Sequence, residues 1–325
     1  MTIKWGIIGC GRIAHKFIQD FEFVEKGIVV AVASRSMEKA AEFAGQYDVK
    51  KAYGTYDALA ADPEVDAIYI ATPHNFHLQH MKLCFNHGKN VLCEKPVTVN
   101  AIEFEEATAL AKAKNVFLME AMWTWYLPAV KKAKEWLGHG KIGDLKFIRA
   151  DFGFKAQFNA EDRTYNPDLA AGALLDIGIY PLGLAAFLVD SEIKNVQCAG
   201  YLGTTGIDEY NAISLVYENG VFVQASSGVV SDLHNDAYIV GTKGYIRIVD
   251  FWKSKKVILE TPEGVKIFED ECPSHGYNYE TEAVNELLLA GKKESPVITL
   301  DHSMRSMKLM DAIRKEMGLR YPFEN

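Results

Sequence analysis

Through its first third the chain alternates short apolar stretches with amphipathic ones, and this rhythm limits the fold more than any other feature. Ile3 to Ile8 reads as a strand and Ala14 to Phe23 as a helix. Ile28 to Ser34 is β-branched, and Met37 to Gln46 is rich in Ala, Glu and Lys. Ala67 to Ala71, Asn90 to Cys93 and Val116 to Ala121 read as further strands, with helices over Leu78 to His87 and Ala101 to Lys114. Strands separated by helices at this spacing predict βαβ units and a parallel, doubly wound sheet.

The rhythm changes after about residue 122. Pro128 opens a helix to about Leu137, and Leu145 to Phe154 follows as a strand. A small-residue helix is expected over Gly172 to Leu188. Hairpins then come in series. Asn219-Gly220 joins Ile213–Tyr217 to Val221–Ala225, and Asn-Gly is a strong hairpin signal. Thr242-Lys243-Gly244 and Pro262-Glu263-Gly264 mark two more. Helices near Tyr279–Ala290 and Ser303–Met317 close the sequence. The second half therefore reads as an α+β domain built on a large, mainly antiparallel open sheet. The expected division is 1–122 and 123–325, in keeping with about two domains for 325 residues.

Composition excludes several classes. With 35 Lys and Arg against 43 Asp and Glu, and no basic stripe, nucleic acid is not an expected partner. Apolar runs such as Ala170 to Leu175 fall short of the ~20 residues that span a bilayer. The N-terminal run lacks the long apolar core and small-residue cleavage site of a secretion signal. Five scattered Cys form no CxxC pair, which suits a reducing cytoplasm.

The first strand runs into Gly9-Cys10-Gly11-Arg12-Ile13-Ala14, a G-x-G-x-x-A that opens a helix. Gly9 serves the tight turn, Gly11 lets backbone approach a pyrophosphate, and Ala14 keeps helix and strand close. Backbone N–H groups at Arg12 and Ile13 then meet the phosphates. The second strand ends in Ser34-Arg35, with no acid to hold a ribose 2′-hydroxyl. A 2′-phosphate suits the missing negative charge and the guanidinium, so NADP is expected over NAD. Two further patches follow strands at the edge where ligands bind in such sheets. These are Thr72-Pro73-His74-Asn75 and Cys93-Glu94-Lys95-Pro96. The Asn75 amide suits a nicotinamide carboxamide, and the Lys95 ammonium suits a substrate hydroxyl. His74, His77 and His80 lack a Cys or carboxylate set, so no metal is expected.

G-x-G-x-x-A near the N-terminus, A-T-P-x-x-x-H and E-K-P together resemble the glucose–fructose oxidoreductase and inositol dehydrogenase (Gfo/Idh/MocA) family, over essentially the whole chain. The resemblance implies an N-terminal Rossmann domain, a catalytic Lys95, and cofactor contacts from Thr72, Pro73, His77, Glu94 and Trp123. The family's D-x-G-x-H stands here as Asp176-Ile177-Gly178-Ile179-Tyr180, with Tyr replacing His. With Met119-Glu120-Ala121-Met122-Trp123, this is similar to the dimeric dihydrodiol dehydrogenase and NADP-dependent D-xylose dehydrogenase branch. That implies Tyr180 as acid–base residue, with Asp176 orienting it or a substrate hydroxyl. Free Tyr has a pKa of about 10, and a nearby ammonium favours the phenolate.

Trp125, Phe154, Trp252 and Tyr277 are the aromatic candidates for a substrate pocket, and Arg163 to Asn166 is a polar loop suited to substrate contacts. The expected activity is an NADP-dependent oxidoreductase for a sugar or cyclic diol, assembled as a homodimer through the second sheet. The alternatives are a keto-sugar reductase, an inositol-type dehydrogenase using NAD, and a nucleotide-sensing regulator without turnover.

Overall fold

The computed structural model describes residues 1–324. Six strands form the first sheet: β1 (Ile3–Ile8), β2 (Gly27–Ala33), β3 (Lys51–Tyr53), β4 (Ala67–Ile70), β5 (Asn90–Glu94) and β6 (Leu118–Ala121). All pairings are parallel, in the order β3-β2-β1-β4-β5-β6. Helices α1 (Arg12–Gln19), α2 (Met37–Gln46), α3 (Tyr56–Ala60), α4 (His77–Asn86) and α5 (Ala101–Lys114) connect them. Local caps set several helix starts. Ser36 accepts from the Lys39 N–H, Thr55 from Ala58 and Asn100 from Glu103. The strands β1, β4 and β5 are nearly all buried residues, as a sheet covered on both faces requires.

The second sheet has eight strands. They are β7 (Leu145–Gly153), β8 (Ile193–Leu202), β9 (Asp208–Tyr217), β10 (Phe222–Gly228), β11 (Ala237–Gly241), β12 (Gly244–Val249), β13 (Lys256–Thr261) and β14 (Gly264–Glu269). Their order is β14-β13-β12-β11-β7-β10-β9-β8. Only β7 and β10 pair parallel; every other pair is antiparallel. Helix α6 (Pro128–Gly138) packs on β12, β13 and β14, and α7 (Ile179–Leu188) on β7 and β10. The expected small-residue helix begins as a π turn over Leu174–Gly178 before it becomes α7. Contrary to the short apolar runs counted in the sequence, Pro167–Leu188 is long and apolar enough to cross a membrane by length and composition. Its apolar window is 94% buried within the fold, as a core helix is.

The chain ends with α8 (Tyr277–Leu289) and α9 (Leu300–Met317). The division into compact units differs from a single cut at 122/123. Met1–Trp123 is joined by Pro273–Met307, and Thr124–Cys272 by Lys308 onward. The physical reason is a clamp made by Asp20, which is 1% exposed. Its Oδ1 accepts from the His275 N–H at 2.8 Å. Its Oδ2 accepts from Gly276 at 2.8 Å, Tyr277 at 2.7 Å and Asn278 at 3.4 Å. These are the orphan donors at the start of α8, which has no capping side chain of its own. Trp5 adds an Nε1–H bond to Asn285 Oδ1 at 2.8 Å. Asp20→Ala leaves this buried helix start without its acceptor. Hydrogen bonds to a charged group are worth about 1.5–3 kcal/mol each, so urea denaturation should show a loss of about 2–4 kcal/mol, and less for Asp20→Asn. A loss within experimental error would mean that the clamp does not hold α8.

Candidate active site

The loop after β1 has the shape an anion needs. Gly9 sits at φ +95°, where a Cβ would lie 2.9 Å from the Ala71 carbonyl oxygen. A Cβ on Gly11 would meet nothing within 4 Å. The space beside Gly11 at the start of α1 is thus open, and no side chain caps that helix. The N–H groups of Arg12 and Ile13 are left for a ligand, as a pyrophosphate requires. Ala14 is fully buried and lets α1 lie close on the sheet. Cys10 donates to the Ala33 carbonyl at 3.6 Å, and burial pushes its thiol up to about 11. It therefore adds no negative charge beside an anion. These residues fit a dinucleotide.

At the end of β2, Ser34 is half-buried and Arg35 exposed. Arg35 acts electrostatically on Tyr56 and His80. These two rings meet edge to face at 4.7 Å, and His80 Nδ1 lies 2.9 Å from Thr72 Oγ1. The sequence reading assigned neither ring; their link to Arg35 depends on β4, α3 and α4 standing side by side.

Thr72 and Pro73 follow β4, and Asn75 lies half-buried on a 3-10 turn over His74–Phe76. His77 is 0% exposed, with Nδ1 2.9 Å from the Pro96 carbonyl and Nε2 2.8 Å from the Thr72 carbonyl. The resemblance assigned it to the cofactor. In the structure it sits between the loop after β4 and the loop after β5. Both nitrogens face backbone carbonyls, and a neutral ring, with one N–H, donates to one of them. Burial lowers its pKa to about 4, and the Lys95 charge adds to this.

Lys95 is 8% exposed and follows β5 directly. Its N–H donates to Glu94 Oε2 at 3.2 Å, and the Tyr69 hydroxyl donates to Glu94 Oε1. Glu120 accepts from the Val97 N–H at 3.0 Å and from the Ser303 hydroxyl at 2.6 Å. Burial raises the Glu120 pKa, with Lys95 opposing. Glu280 is 0% exposed, and neither of its carboxyl oxygens has a hydrogen-bond partner. Burial and the Glu94 charge hold it far above the usual carboxylate range, so it keeps its proton. Trp123 stacks on Tyr277 at 4.5 Å and 25°. Tyr277, expected among substrate residues of the second domain, thus belongs to the nucleotide unit, because the Asp20 clamp returns α8 there.

The second unit carries the other set. Asp176 lies on the π turn, 5% exposed, and pairs with Arg163 at 3.2 Å. Arg163 comes from the polar loop noted in the sequence, but nothing local marks it as the partner of Asp176. Tyr180 follows on α7, 6% exposed, 5.5 Å from the Phe152 ring and 6.3 Å from Trp252. Phe152 stacks on Trp252 at 4.7 Å and 14°, and Phe154 lies 6.5 Å from Phe152. The structure therefore gathers Tyr180, Trp252 and Phe154 around Phe152, which the sequence reading did not single out. Trp125 lies 4.8 Å from Phe187, whose ring also receives the Lys134 ammonium at 3.8 Å.

Comparison with known proteins accords with this geometry. Residues 3–122 match the family model described as an oxidoreductase family with an NAD-binding Rossmann fold, and residues 130–247 match the GFO/IDH/MocA C-terminal domain. A trans-1,2-dihydrobenzene-1,2-diol dehydrogenase of Xenopus tropicalis is 37% identical, covering 99% of this chain and 100% of the relative. The Homo sapiens protein of that name is 34% identical, with 99% of each covered. Among solved structures, aldose-aldose oxidoreductase from Caulobacter crescentus superposes with a TM-score of 0.90 at 22% identity, covering 98% of each chain. KijD10, a 3-ketoreductase from Actinomadura kijaniata solved with NADP and TDP-benzene, gives 0.85 at 25%, covering 97% of this chain and 98% of that one. The chain belongs to the GFO/IDH/MocA oxidoreductase family. It is an oxidoreductase of the NAD(P)-dependent dehydrogenase and reductase kind, with a Rossmann nucleotide domain.

The buried histidines give the fold an acid-sensitive component. His77 and His80 are both lowered from 6.5 to about 4 by burial. The unfolded chain then binds protons first as pH falls. Their contribution is intact above pH 6.5 and is lost between about 6.5 and about 4. The melting temperature should fall across that window, and less steeply in His80→Gln. Parallel melting profiles for the two proteins would show that His80 plays no part.

Proposed function

We propose that this chain is an NADP-dependent dehydrogenase acting on a hydroxyl-bearing carbon of a sugar or cyclic diol. The observation that carries the reading is the phenol of Tyr180 set against the Phe152–Trp252 stack, with Asp176 on the same helical segment. Aromatic faces suit the flat or apolar side of a small ring. Held by Gly9, Gly11 and the N–H groups of Arg12 and Ile13, a nicotinamide nucleotide would supply the hydride acceptor in oxidation and the hydride donor in reduction. Tyr180 Oη takes the hydroxyl proton in oxidation and gives it back in reduction. The family resemblance gives Lys95 the other catalytic role, and its ammonium suits a substrate hydroxyl. Asp176, held by Arg163, orients the hydroxyl being oxidised or the phenol itself. The dihydrodiol dehydrogenase relatives and the 3-ketoreductase neighbour support a ring-shaped substrate.

The choice of NADP rests on Ser34-Arg35 at the end of β2. An exposed arginine and a neutral hydroxyl suit a phosphate on the adenosine ribose better than a bare hydroxyl. Assembly as a homodimer belongs to the same reading. Helices α6 and α7 pack on the second sheet, while Tyr201 and Tyr210 stack at 5.4 Å and stay 52% and 49% exposed. An apolar surface of this kind suits a second copy, and a clean monomer in light scattering at micromolar concentration would refute it. Five free thiols are in keeping with a reducing, cytoplasmic setting.

A panel of sugars and cyclic diols, followed at the nicotinamide absorbance, tests the activity. Lys95→Met and Tyr180→Phe should each lose at least the ~10²-fold typical of an acid–base contribution, with NADP still bound. Full activity in either variant would defeat the assignment. Arg35→Ala should weaken NADP by about 10- to 100-fold, the worth of one charge-assisted hydrogen bond, and leave NAD little changed. Equal weakening of both nucleotides would mean that Arg35 does not read the phosphate.

A further inference from the structure

Beneath the π turn of the second unit lies a row of buried polar side chains to which neither the family resemblance nor the comparisons give a role. Asp208 is 0% exposed, Asn211 3% and Ser227 1%. Asp208 Oδ2 accepts from the Leu174 N–H at 2.7 Å and from Asn211 Nδ2 at 2.9 Å. Asn211 Oδ1 accepts from the Ser227 hydroxyl at 2.9 Å. Asn211 and Ser227 are directly opposed across β9 and β10.

Two glycines of the helical segment rest on the ends of this row. A Cβ on Gly172, at φ +125°, would overlap Asp208 Oδ1. A Cβ on Gly178 would lie 2.8 Å from Ser227 Oγ. The backbone just before the π turn and at its last residue thus approaches the strands more closely than a side chain allows. The Tyr321 hydroxyl adds a bond to the Ala171 carbonyl at 2.8 Å, just before the turn.

Such a row is an expensive way to pack a helix. Burial pushes the Asp208 carboxyl up to about 7, although its hydrogen bonds and Arg314 pull the other way. Apolar residues of similar size would fill the space at less cost. What they would not do is choose one backbone register. A π turn places an extra residue in the helical circuit, and such turns gather at functional sites. It also changes the angle at which the side chain at i+4 follows that at i. Asp176 lies inside the turn, and Tyr180 just after it.

We propose that Asp208, Asn211 and Ser227 are positioning residues for the Asp176–Tyr180 pair: they hold the π turn in place and so fix the angle between the two side chains. This rests on the function proposed above, in which Tyr180 moves the proton.

The test uses the full chain with Asp208→Leu and Gly178→Ala. The first removes the oxygen that serves two donors and leaves a side chain of similar size, and the second pushes the turn off Ser227. Misplacing a reacting group by about 1 Å costs up to ~10²-fold, so kcat should fall about 10- to 100-fold in both. The NADP dissociation constant, read by nicotinamide fluorescence, should stay unchanged. Adding Ser227→Ala to Gly178→Ala removes the crowding atom and should bring kcat back to that of Ser227→Ala alone. A second readout needs no turnover. In protein carrying fluorotyrosine, the 19F resonance that disappears in Tyr180→Phe should shift or split in both variants while the protein stays folded. An unmoved resonance overturns the proposal, as does a kcat loss that only follows the folded fraction. A wild type inactive on the whole substrate panel, with the 19F shifts present, sinks the functional reading and leaves the positioning intact.

Discussion

The parallel pairing of β1, β4 and β5 is the interaction on which the nucleotide site depends. Ile8 stands beside Ile70, and Ile70 beside Cys93. With that register, the three strands release their loops at one edge of the sheet. Gly9 to Gly11, Thr72-Pro73 and Glu94-Lys95 are far apart in sequence and share an edge only because each crossover keeps the same direction. His77 packs between the carbonyls of Thr72 and Pro96, and its neutral ring donates its one N–H to one of them. Its low pKa matters here, since a charged imidazole would add a second cation near Lys95.

The same edge concentrates buried acids. Glu94, Glu120 and Glu280 are each at most 6% exposed. They are not equivalent. Glu94 takes hydrogen bonds from the Tyr69 hydroxyl and the Lys95 N–H, and Glu120 from Val97 and Ser303. Glu280 has neither kind of support and stays protonated. A neutral Glu280 avoids a repulsion with Glu94 that such a dry site would magnify. Glu94 and Glu120, the acids next to Lys95, are thus each fixed by hydrogen bonds of their own.

How much of this is legible in the sequence follows from how far each determinant lies along the chain. The βαβ rhythm is local, so five of the six parallel strands could be anticipated, while three-residue β3 was too short to register. Strand β8 escaped because it is a largely exposed edge strand, with no clean alternation to betray it. The return of α8 to the first unit is set by Asp20, more than 250 residues earlier. No local pattern records that. The catalytic candidates Lys95, Asp176 and Tyr180 were readable as motifs. Phe152 behind Tyr180 was not, since a phenylalanine in a strand looks the same whether it lines a core or a site. The segment from Gly172 to Leu188 read as one plain helix, because its π turn is paired with Asp208 and Ser227 on strands that come later in the chain.

The two units solve different physical problems with the same means. The first must present backbone N–H groups and fixed charge to an anionic ligand without filling the space that ligand needs. It does so with two glycines, an uncapped helix and a thiol kept neutral by burial. In the proposed mechanism, the second holds a phenol and a carboxylate at a set angle beside an aromatic face. There the backbone is held down instead of left open, and buried polar side chains occupy the places where a Cβ would stand at Gly172 and Gly178. In both, a glycine marks where backbone itself is the functional surface, facing a ligand in one unit and a polar strand in the other. Substituting Gly9 or Gly172 would therefore fail for a shared reason: each has a positive φ, and each has an oxygen standing where the new side chain would go.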